Sequence, residues 1–292
     1  MMSGSSAHEY VLKEYTTRVI RPRAQDIFSL IKRVAREEIL PKFRNLDASE
    51  VAMKRSKTDL VTVADKAAEA RLTKGLLQLF PSARIVGEES VAADPTRRDN
   101  IAQEELCFIL DPIDGTWNYA NGLSLFGVII AATHYGKPIF ALLYDPLIED
   151  AHVALADDGC AFVSCGEITG GTDLKVATHA EMTGFVPVHL FPREQRAEVA
   201  AAAAKFARFA SFHCSCHEYR LLSQGSFHFS LANILNPWDH VAGTMMVEAA
   251  GGFVSMLDGR PYTVDAREGY LVAASDQDVF KQVQKEFSFL IH

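Results

Sequence analysis

The chain has 292 residues, 48% of them hydrophobic and 23% charged, with a formal net charge of −8 at pH 7 and a pI near 5.7. That length bounds the protein at one large domain or two lobes with sizeable cores. The acidic balance argues against a nucleic-acid surface, so any phosphate must be held locally, by metals and amides.

The five cysteines are Cys107, Cys160, Cys165, Cys214 and Cys216. Their number is odd and no C-x-x-C occurs, so they are read as reduced thiols of a cytoplasmic protein. Met1 to Tyr10 carries no apolar core of a signal peptide, and no apolar run approaches the roughly 20 residues that span a bilayer.

In chain order, residues 1–15 read as a loose arm. Ile27, Phe28, Ile31, Val34, Ala35 and Ile39 follow helical spacing, which predicts a helix over 25–43. A polar loop over 54–59 precedes a helix over 64–80 with Ala68, Leu72, Leu76 and Leu79 on one face. Asp65 falls in its first turn, where the helix dipole favours an acid whatever else that acid does. Residues 84–90 read as a short strand that ends in Glu88 and Glu89, followed by a surface loop over 91–104. Residues 126–133 and 138–144 read as a hairpin, with further strands near 151–156 and 161–163. Together they predict an antiparallel sheet with helices on one face. A Gly/Thr-rich stretch over 166–172 reads as the joint between lobes of about 16–170 and 171–292. Beyond it, strands are expected at 174–177, 210–213, 227–231, 253–256 and 270–273. Helices are expected at 193–209, 215–224, 237–250 and 276–287.

The chemistry centres on Asp111-Pro112-Ile113-Asp114-Gly115-Thr116-Trp117-Asn118-Tyr119, after the apolar run Leu106 to Leu110. The run has no polar alternation, which predicts a strand covered on both faces, then a sharp turn, then a helix start. Two carboxylates three residues apart, with the Ile113 carbonyl between them, can face one point. Three hard oxygens in one turn suit Mg²⁺, and the Gly115 and Thr116 amides would then meet an anion. Taken alone, the segment reads more readily as a capped turn with two solvated aspartates. Glu88 at a strand end and Asp239 at a helix start after Pro-Trp are further acids at element ends, where side chains converge on clefts.

Four blocks then become recognisable. Asp59-Leu60-Val61-Thr62-x-x-Asp65, Ile85-Val86-Gly87-Glu88-Glu89-Ser90, the Asp111–Tyr119 motif, and Trp238-Asp239-x-x-Ala242-Gly243-x(4)-Glu248-Ala249-x-Gly251-Gly252 resemble the inositol monophosphatase family, in its order. The resemblance implies an α/β five-layer α/β/α/β/α sandwich with two β-sheets. It also implies lithium-sensitive, Mg²⁺-dependent hydrolysis of a phosphate monoester, and a homodimer. Carried over by position, Glu88, Asp111, the Ile113 carbonyl, Asp114 and Asp239 would ligate two or three Mg²⁺ ions. Asp65 and Thr116 would activate the attacking water, Gly115 and Thr116 would hold the phosphate, and Lys54 would belong to a mobile catalytic loop. Two ions roughly 4 Å apart can acidify a water and hold the ester oxygen. The partner is a small phosphorylated metabolite, with neither nucleic acid nor membrane expected.

One departure concerns the substrate. The family's glutamate for sugar hydroxyls, seven residues before the last metal aspartate, is Ala232 here. Asn233 or Asn236 is the replacement, and Cys214, Ser215 and Cys216 fall on the substrate wall. Without the acid, discrimination for inositol weakens. The alternatives are 3′-phosphoadenosine phosphate, fructose bisphosphate or histidinol phosphate as substrate, or a regulatory binding protein on the same scaffold. His213-Cys214-Ser215-Cys216-His217 fits no standard zinc spacing. Trp117, at a variable motif position, is read as gating the cleft or, by preference, packing, and His240 as a support or surface residue.

Overall fold

The computed structural model describes residues 4–54, 60–157, 159–164, 167–170 and 181–291. Its first element corrects the loose arm: residues Gly4–Tyr15 form helix α1. The cause is tertiary. Leu12 and Tyr15 pack against the core, and the Tyr15 ring stacks on His134 at 3.9 Å.

Helix α2 (Ala24–Val34) realises the Ile27/Ile31/Val34 stripe, and its helical path continues through the π turn Ala35–Ile39. A small antiparallel ribbon follows, β1 (Val51–Met53) with β2 (Leu60–Thr62), and leads into α3 (Val63–Leu79). Asp59 of the first motif block lies outside the described residues. Strand β3 (Arg84–Gly87) stops one residue before the acids. Glu88 and Glu89 therefore open a short helix, α4 (Glu88–Ala93), instead of ending a strand.

Strand β4 (Cys107–Asp114) is buried along its whole length. It runs further than expected, through Asp114, and the turn comes only at Gly115, before α5 (Thr116–Ala120). Strands β5 (Gly127–His134) and β6 (Lys137–Asp145) form the expected hairpin. The turn residues Tyr135 and Gly136 both have positive φ, which matches the twist of a tight hairpin. Strands β7 (Asp150–Leu155), β8 (Gly159–Ser164) and β9 (Glu167–Gly170) extend the sheet. So 167–170, read as part of the joint, is an edge strand paired with β8. The rest of that joint, and the strand expected at 174–177, lie outside the described residues.

The chain resumes with β10 (Thr183–Phe185), α6 (Arg196–Ala203), β11 (Arg208–Ala210), α7 (Ser215–Ser223) and β12 (Phe229–Ala232). It ends with α8 (Pro237–Ala249), β13 (Phe253–Met256), β14 (Leu271–Ala274) and α9 (Gln277–Glu286). Helix α6 is shorter than the alanine content suggested, because Arg208–Ala210 is drawn into the sheet beside β10.

Besides the β1–β2 ribbon, two larger sheets result among the described residues. The larger has seven strands in the order β3-β4-β5-β6-β7-β8-β9, parallel only between β3 and β4. The smaller has five, ordered β11-β10-β12-β14-β13. Strand β4 shows why the layers form. Phe108 and Leu110 face a core with Ile27, Ile31, Leu72 and Leu76, while Cys107 and Ile109 face another with Val241, Met245 and Met246. A strand whose alternate residues are all apolar needs cover on both sides. The large sheet thus carries α2 and α3 on one face and α7 and α8 on the other, not helices on one face alone. The smaller sheet packs beyond, with Val199 of α6 and Val279 and Val283 of α9 on its outer side. The order is helix, sheet, helix, sheet, helix: an α/β five-layer sandwich.

The middle layer is tight where α7 meets α8. A Cβ on Gly243 would stand 2.1 Å from a ring carbon of Tyr219, a buried side chain whose hydroxyl bonds His240 Nδ1 at 3.0 Å. Alanine adds helix propensity worth up to about 1 kcal/mol, but overpacking typically costs about 1–3 kcal/mol. We expect Gly243→Ala to lower the urea midpoint by a net destabilisation of about 1–2 kcal/mol, with an unchanged m-value.

Candidate active site

Strand β4 delivers two carboxylates to one point by breaking its own register. Asp111 pairs with Ile129 and Asp114 with Gly127, so β4 advances three residues while β5 advances two. In a regular strand, residues three apart face opposite sides. The extra residue of a bulge turns them to the same side. Pro112 suits the bulge because it has no ladder N–H to lose. The Ile113 N–H donates to Asp111 Oδ1 at 3.0 Å.

Gly115 follows with φ +84°, and a Cβ there would lie 2.9 Å from the Leu125 carbonyl oxygen. Only glycine fits that conformation and that space. Thr116 opens α5 with its Oγ1 3.0 Å from the Ile113 carbonyl oxygen and 3.2 Å from Asp65 Oδ1.

Asp65 is fully buried in the first turn of α3. Its Oδ2 accepts the Thr62 N–H at 2.8 Å and the Thr62 hydroxyl, a capping box. Burial pushes its pKa up to about 6, against those hydrogen bonds. One turn on, Glu69 accepts the N–H groups of Glu89 at 2.7 Å and Ser90 at 2.8 Å. A Cβ on Gly87 would strike the Glu69 carboxyl at 2.3 Å. Glu69 therefore fixes the β3–α4 corner that carries Glu88. Sequence reasoning missed it, although its i,i+4 spacing from Asp65 on one helix face was visible.

Lys54 Nζ donates to Glu88 Oε1 at 2.7 Å and also to Glu89 Oε1. Burial works against the ammonium, but the Glu88 and Glu89 charges outweigh it and hold its proton more tightly than usual. Asp239 sits in the first turn of α8, where Asn236 Nδ2 donates to its Oδ2 at 3.0 Å. Asp114 Oδ2 accepts the Cys216 N–H and, at 3.1 Å, the Cys214 thiol.

Carboxylate oxygens of Asp111, Asp114 and Asp239 lie within 4.8 Å of one another. Burial, then the charges of Glu88 and the other aspartates, pushes the pKa of Asp111 far above the ordinary range. Burial and then Asp114 and Glu88 do the same for Asp239. Burial raises Asp114 to about 6, moderated by the Cys216 and Cys214 donors. Buried like charges at this distance repel unless protonated or matched by a cation. An all-oxygen donor set is hard and suits Mg²⁺, Ca²⁺ or Mn²⁺ over softer metals. The residues present thus fit a hard divalent ion.

A cleft of about 370 Å³ opens over this cluster, lined by Glu88, Asp114, Gly115, Thr116, Cys214, Ser215, Asn233 and Asp239 among others. The family model for inositol monophosphatases matches residues 22–291. The chain belongs to the inositol monophosphatase family. It is 28% identical over 228 residues to the Arabidopsis thaliana bifunctional phosphatase IMPL2, covering 76% of this chain and 63% of that protein's length. It is 28% identical over 236 residues to inositol monophosphatase 2 of Solanum lycopersicum, covering 76% and 84% respectively. The Thermotoga maritima IMPase shares the fold, with a TM-score of 0.75 and 20% identity over 92% of this chain and 99% of that one. The family is one of phosphatases, which are hydrolases.

Not every expected residue reaches the cleft. Cys214 and Ser215 line this inositol monophosphatase cleft, but Cys216 does not. Cys216 is fully buried, with its thiol 3.8 Å from the Tyr144 carbonyl oxygen and pressed against Gly127. The change from irregular chain to helix α7 at Ser215 separates it from Cys214. The same change scatters the zinc-like group, since His217 Nε2 turns to the Phe126 carbonyl at 3.1 Å. Trp117, read as packing or gating the cleft, lines it with 36% of its surface exposed. His240 is buried, with Nε2 2.7 Å from the Ile234 carbonyl oxygen. Among the described residues, no helix is long and apolar enough to cross a membrane.

The raised carboxyls set a pH dependence. Asp65 and Asp114 near 6 and Glu89 near 7, the last raised first by burial and then by Glu88, hold protons in the folded state that the unfolded chain releases near 4. Stability from protonation is then complete below about pH 4 and is lost as pH rises through about 6 to 7. With EDTA present, the melting temperature is expected to fall between pH 5 and 8. Millimolar Mg²⁺ should recover most of that loss at pH 8 and little at pH 5, because bound metal replaces the protons. Thermal melts across this grid check it.

Proposed function

We propose that the protein is a Mg²⁺-dependent phosphomonoesterase acting on a small phosphorylated metabolite. The class suggested by family membership is inositol monophosphate or a related sugar or polyol phosphate. The observation that carries this reading is the convergence of Asp111, Asp114 and Asp239 within 4.8 Å, directly beside the Gly115–Thr116 turn. Glu88, Asp111, the Ile113 carbonyl, Asp114 and Asp239 would hold two or three Mg²⁺ ions. Bound there, the metal supplies Lewis-acid stabilisation of the ester oxygens and acidifies a water at neutral pH.

The remaining work falls to this chain's own groups. The Gly115 and Thr116 N–H groups point at the phosphate. Helix α5 has only five residues, so these amides act as individual donors more than through a macrodipole. Thr116 Oγ1 orients the attacking water and passes its proton toward Asp65 Oδ1, 3.2 Å away. A carboxyl near 6 is well placed to accept a proton at pH 7. The water oxygen joins phosphorus as the ester P–O bond breaks, and the alcohol leaves with a proton. Lys54 would swing from Glu88 as metal enters.

The chain would divide into a metal and phosphate lobe over about 16–170 and a substrate lobe over about 171–292. Asp239 then reaches across from the second to the first. Asn233 supports the substrate assignment. Its Nδ2 donates to the Leu190 carbonyl at 2.9 Å, while its buried Oδ1 has no partner among the described residues and can accept a substrate hydroxyl. The protein is read as cytoplasmic, homodimeric, inhibited by lithium, and free of nucleic-acid or membrane partners.

The test is phosphate release from a panel of sugar, polyol, nucleoside and amino-alcohol phosphates at millimolar Mg²⁺. Asp111→Asn should lower kcat/KM by more than the ~100-fold upper range of outer-shell changes. Thr116→Ala should cost about 10²–10⁴-fold in kcat, the worth of general acid–base catalysis. No release from any ester would sink the proposal.

A further inference from the structure

Arg98 carries a half-buried guanidinium that none of the roles above uses. It ends the 3₁₀ turn Pro95–Arg98, which follows α4 directly, since Asp94 closes one and opens the other. That turn belongs to the same corner as Glu88. It is tied to β3 as well, because Arg84 Nη2 donates to the Arg97 carbonyl at 2.8 Å. From there the Arg98 side chain reaches two segments far away in sequence. Its Nη2 donates to the Leu235 carbonyl at 2.5 Å and to the Ala266 carbonyl at 2.7 Å. Its Nε is buried with no partner among the described residues. An unpaired buried donor costs stability, so stability alone is a poor reason for this side chain.

The Leu235 carbonyl supplies a better one. A peptide unit is planar, so a hold on that carbonyl also fixes the Asn236 N–H and the direction in which the chain enters α8. Asn236 caps the helix with extended backbone, φ −73° and ψ 131°, and Pro237 behind it has a locked φ. The Asn236 carbonyl accepts the Asp239 N–H at 3.2 Å, and Asn236 Nδ2 donates to Asp239 Oδ2 at 3.0 Å. One residue earlier, His240 Nε2 holds the Ile234 carbonyl at 2.7 Å, and the Tyr219 hydroxyl holds His240 Nδ1 at 3.0 Å. His240 thus secures the turn from inside α8. Arg98 secures it from the corner that carries Glu88.

Charge gives Arg98 an opposite influence. Burial and then Arg267 work against its cationic form, while Tyr262 and Asp239 favour it. A cation near enough to feel Asp239 repels an incoming divalent ion. By electrostatics alone Arg98 opposes metal binding, so geometry and charge predict opposite effects of removing it.

We propose that Arg98 is a positioning residue for the metal site: it braces the turn before α8 against the α4 corner, and so holds Asp239 where a divalent ion can join it to Glu88, Asp111 and Asp114. This rests on the metal-dependent reading of the site and adds to it a group outside the ligand set.

The experiment titrates Mn²⁺ into the full chain, reads the free ion by its EPR signal, and repeats the titration with Mg²⁺ as competitor. Wild type is compared with Arg98→Met and Arg98→Lys. A third variant, Val199→Ala, truncates the core in α6 on the outer side of the small sheet. The Mn²⁺ dissociation constant should rise about tenfold or more in Arg98→Met, the lower end of what supporting residues contribute. Lysine keeps the charge without the planar fork, so the constant should rise in Arg98→Lys too, by less. Val199→Ala should lower the melting temperature and leave the constant unchanged. Tighter binding in Arg98→Met indicates a purely electrostatic role and overturns the brace. A lower melting temperature with an unchanged constant, or equal loosening in Val199→Ala, indicates a merely structural role and overturns it as well. Should Arg98→Met not fold, Arg98→Lys decides on the same terms. A wild type that binds no Mn²⁺ overturns the metal reading and the brace with it. Mn²⁺ binding without phosphate release from any ester overturns the phosphatase reading alone, and the titration still decides the brace.

Discussion

Buried carboxylates that crowd one another repel, and much of this fold serves to hold such a cluster together. Asp111, Asp114 and Asp239 place oxygens within 4.8 Å of one another, the first two buried and the third half-buried beside the cleft. In a low-dielectric setting that repulsion is much larger than at a surface. Two elements anchor them: the bulged strand β4 holds Asp111 and Asp114, and the first turn of the buried helix α8 holds Asp239. The cluster is a strained, charge-hungry cavity, and strain of this kind is tolerated where function needs it.

A second tier of hydrogen bonds aims these groups without joining the cluster. Glu69 fixes the corner behind Glu88, Asn236 steadies Asp239, and the Cys216 N–H holds Asp114. Asn118 joins the Leu125 and Phe212 carbonyls, at 2.9 and 2.7 Å, and so links the loop after α5 to the segment before α7. Removing one partner from such a network leaves a buried polar group unsatisfied, which costs about 1–3 kcal/mol. The geometry of the cleft thus depends on these hydrogen bonds as well as on the carboxylates themselves.

The middle helical layer couples the two sheets. Helix α8 lies across β4, β5 and β6 while its own first turn carries Asp239 to the end of β4. Close approach at Gly243 allows the Tyr219 ring to sit beneath the cleft floor. Packing in the interior and placement of a charged ligand are in this way one problem solved by one helix.

Much of this was legible in the amino-acid sequence. The unbroken apolar run before Asp111, the helical stripe through Ile27 and Val34, and the capping pattern at Thr62–Asp65 each carry their local physics in the chain. The family blocks named the acids that converge. Other features are invisible locally. Helix α1 forms because Tyr15 finds His134, 119 positions away by number. Cys214 and Cys216 are both buried, but α7 begins between them, so Cys214 lines the cleft while Cys216 packs behind it. Glu69, Asn118 and Glu218 look like ordinary polar residues until their backbone partners arrive from distant segments. The sequence by itself determined the periodic elements, the acids of the motif blocks and the family, since these rest on periodicity and motif spacing. Only the tertiary structure decided which side chains share the cleft, how far their charges shift, and that Arg98 reaches the Leu235 and Ala266 carbonyls. Distances and burial between remote segments are properties of the packed chain alone.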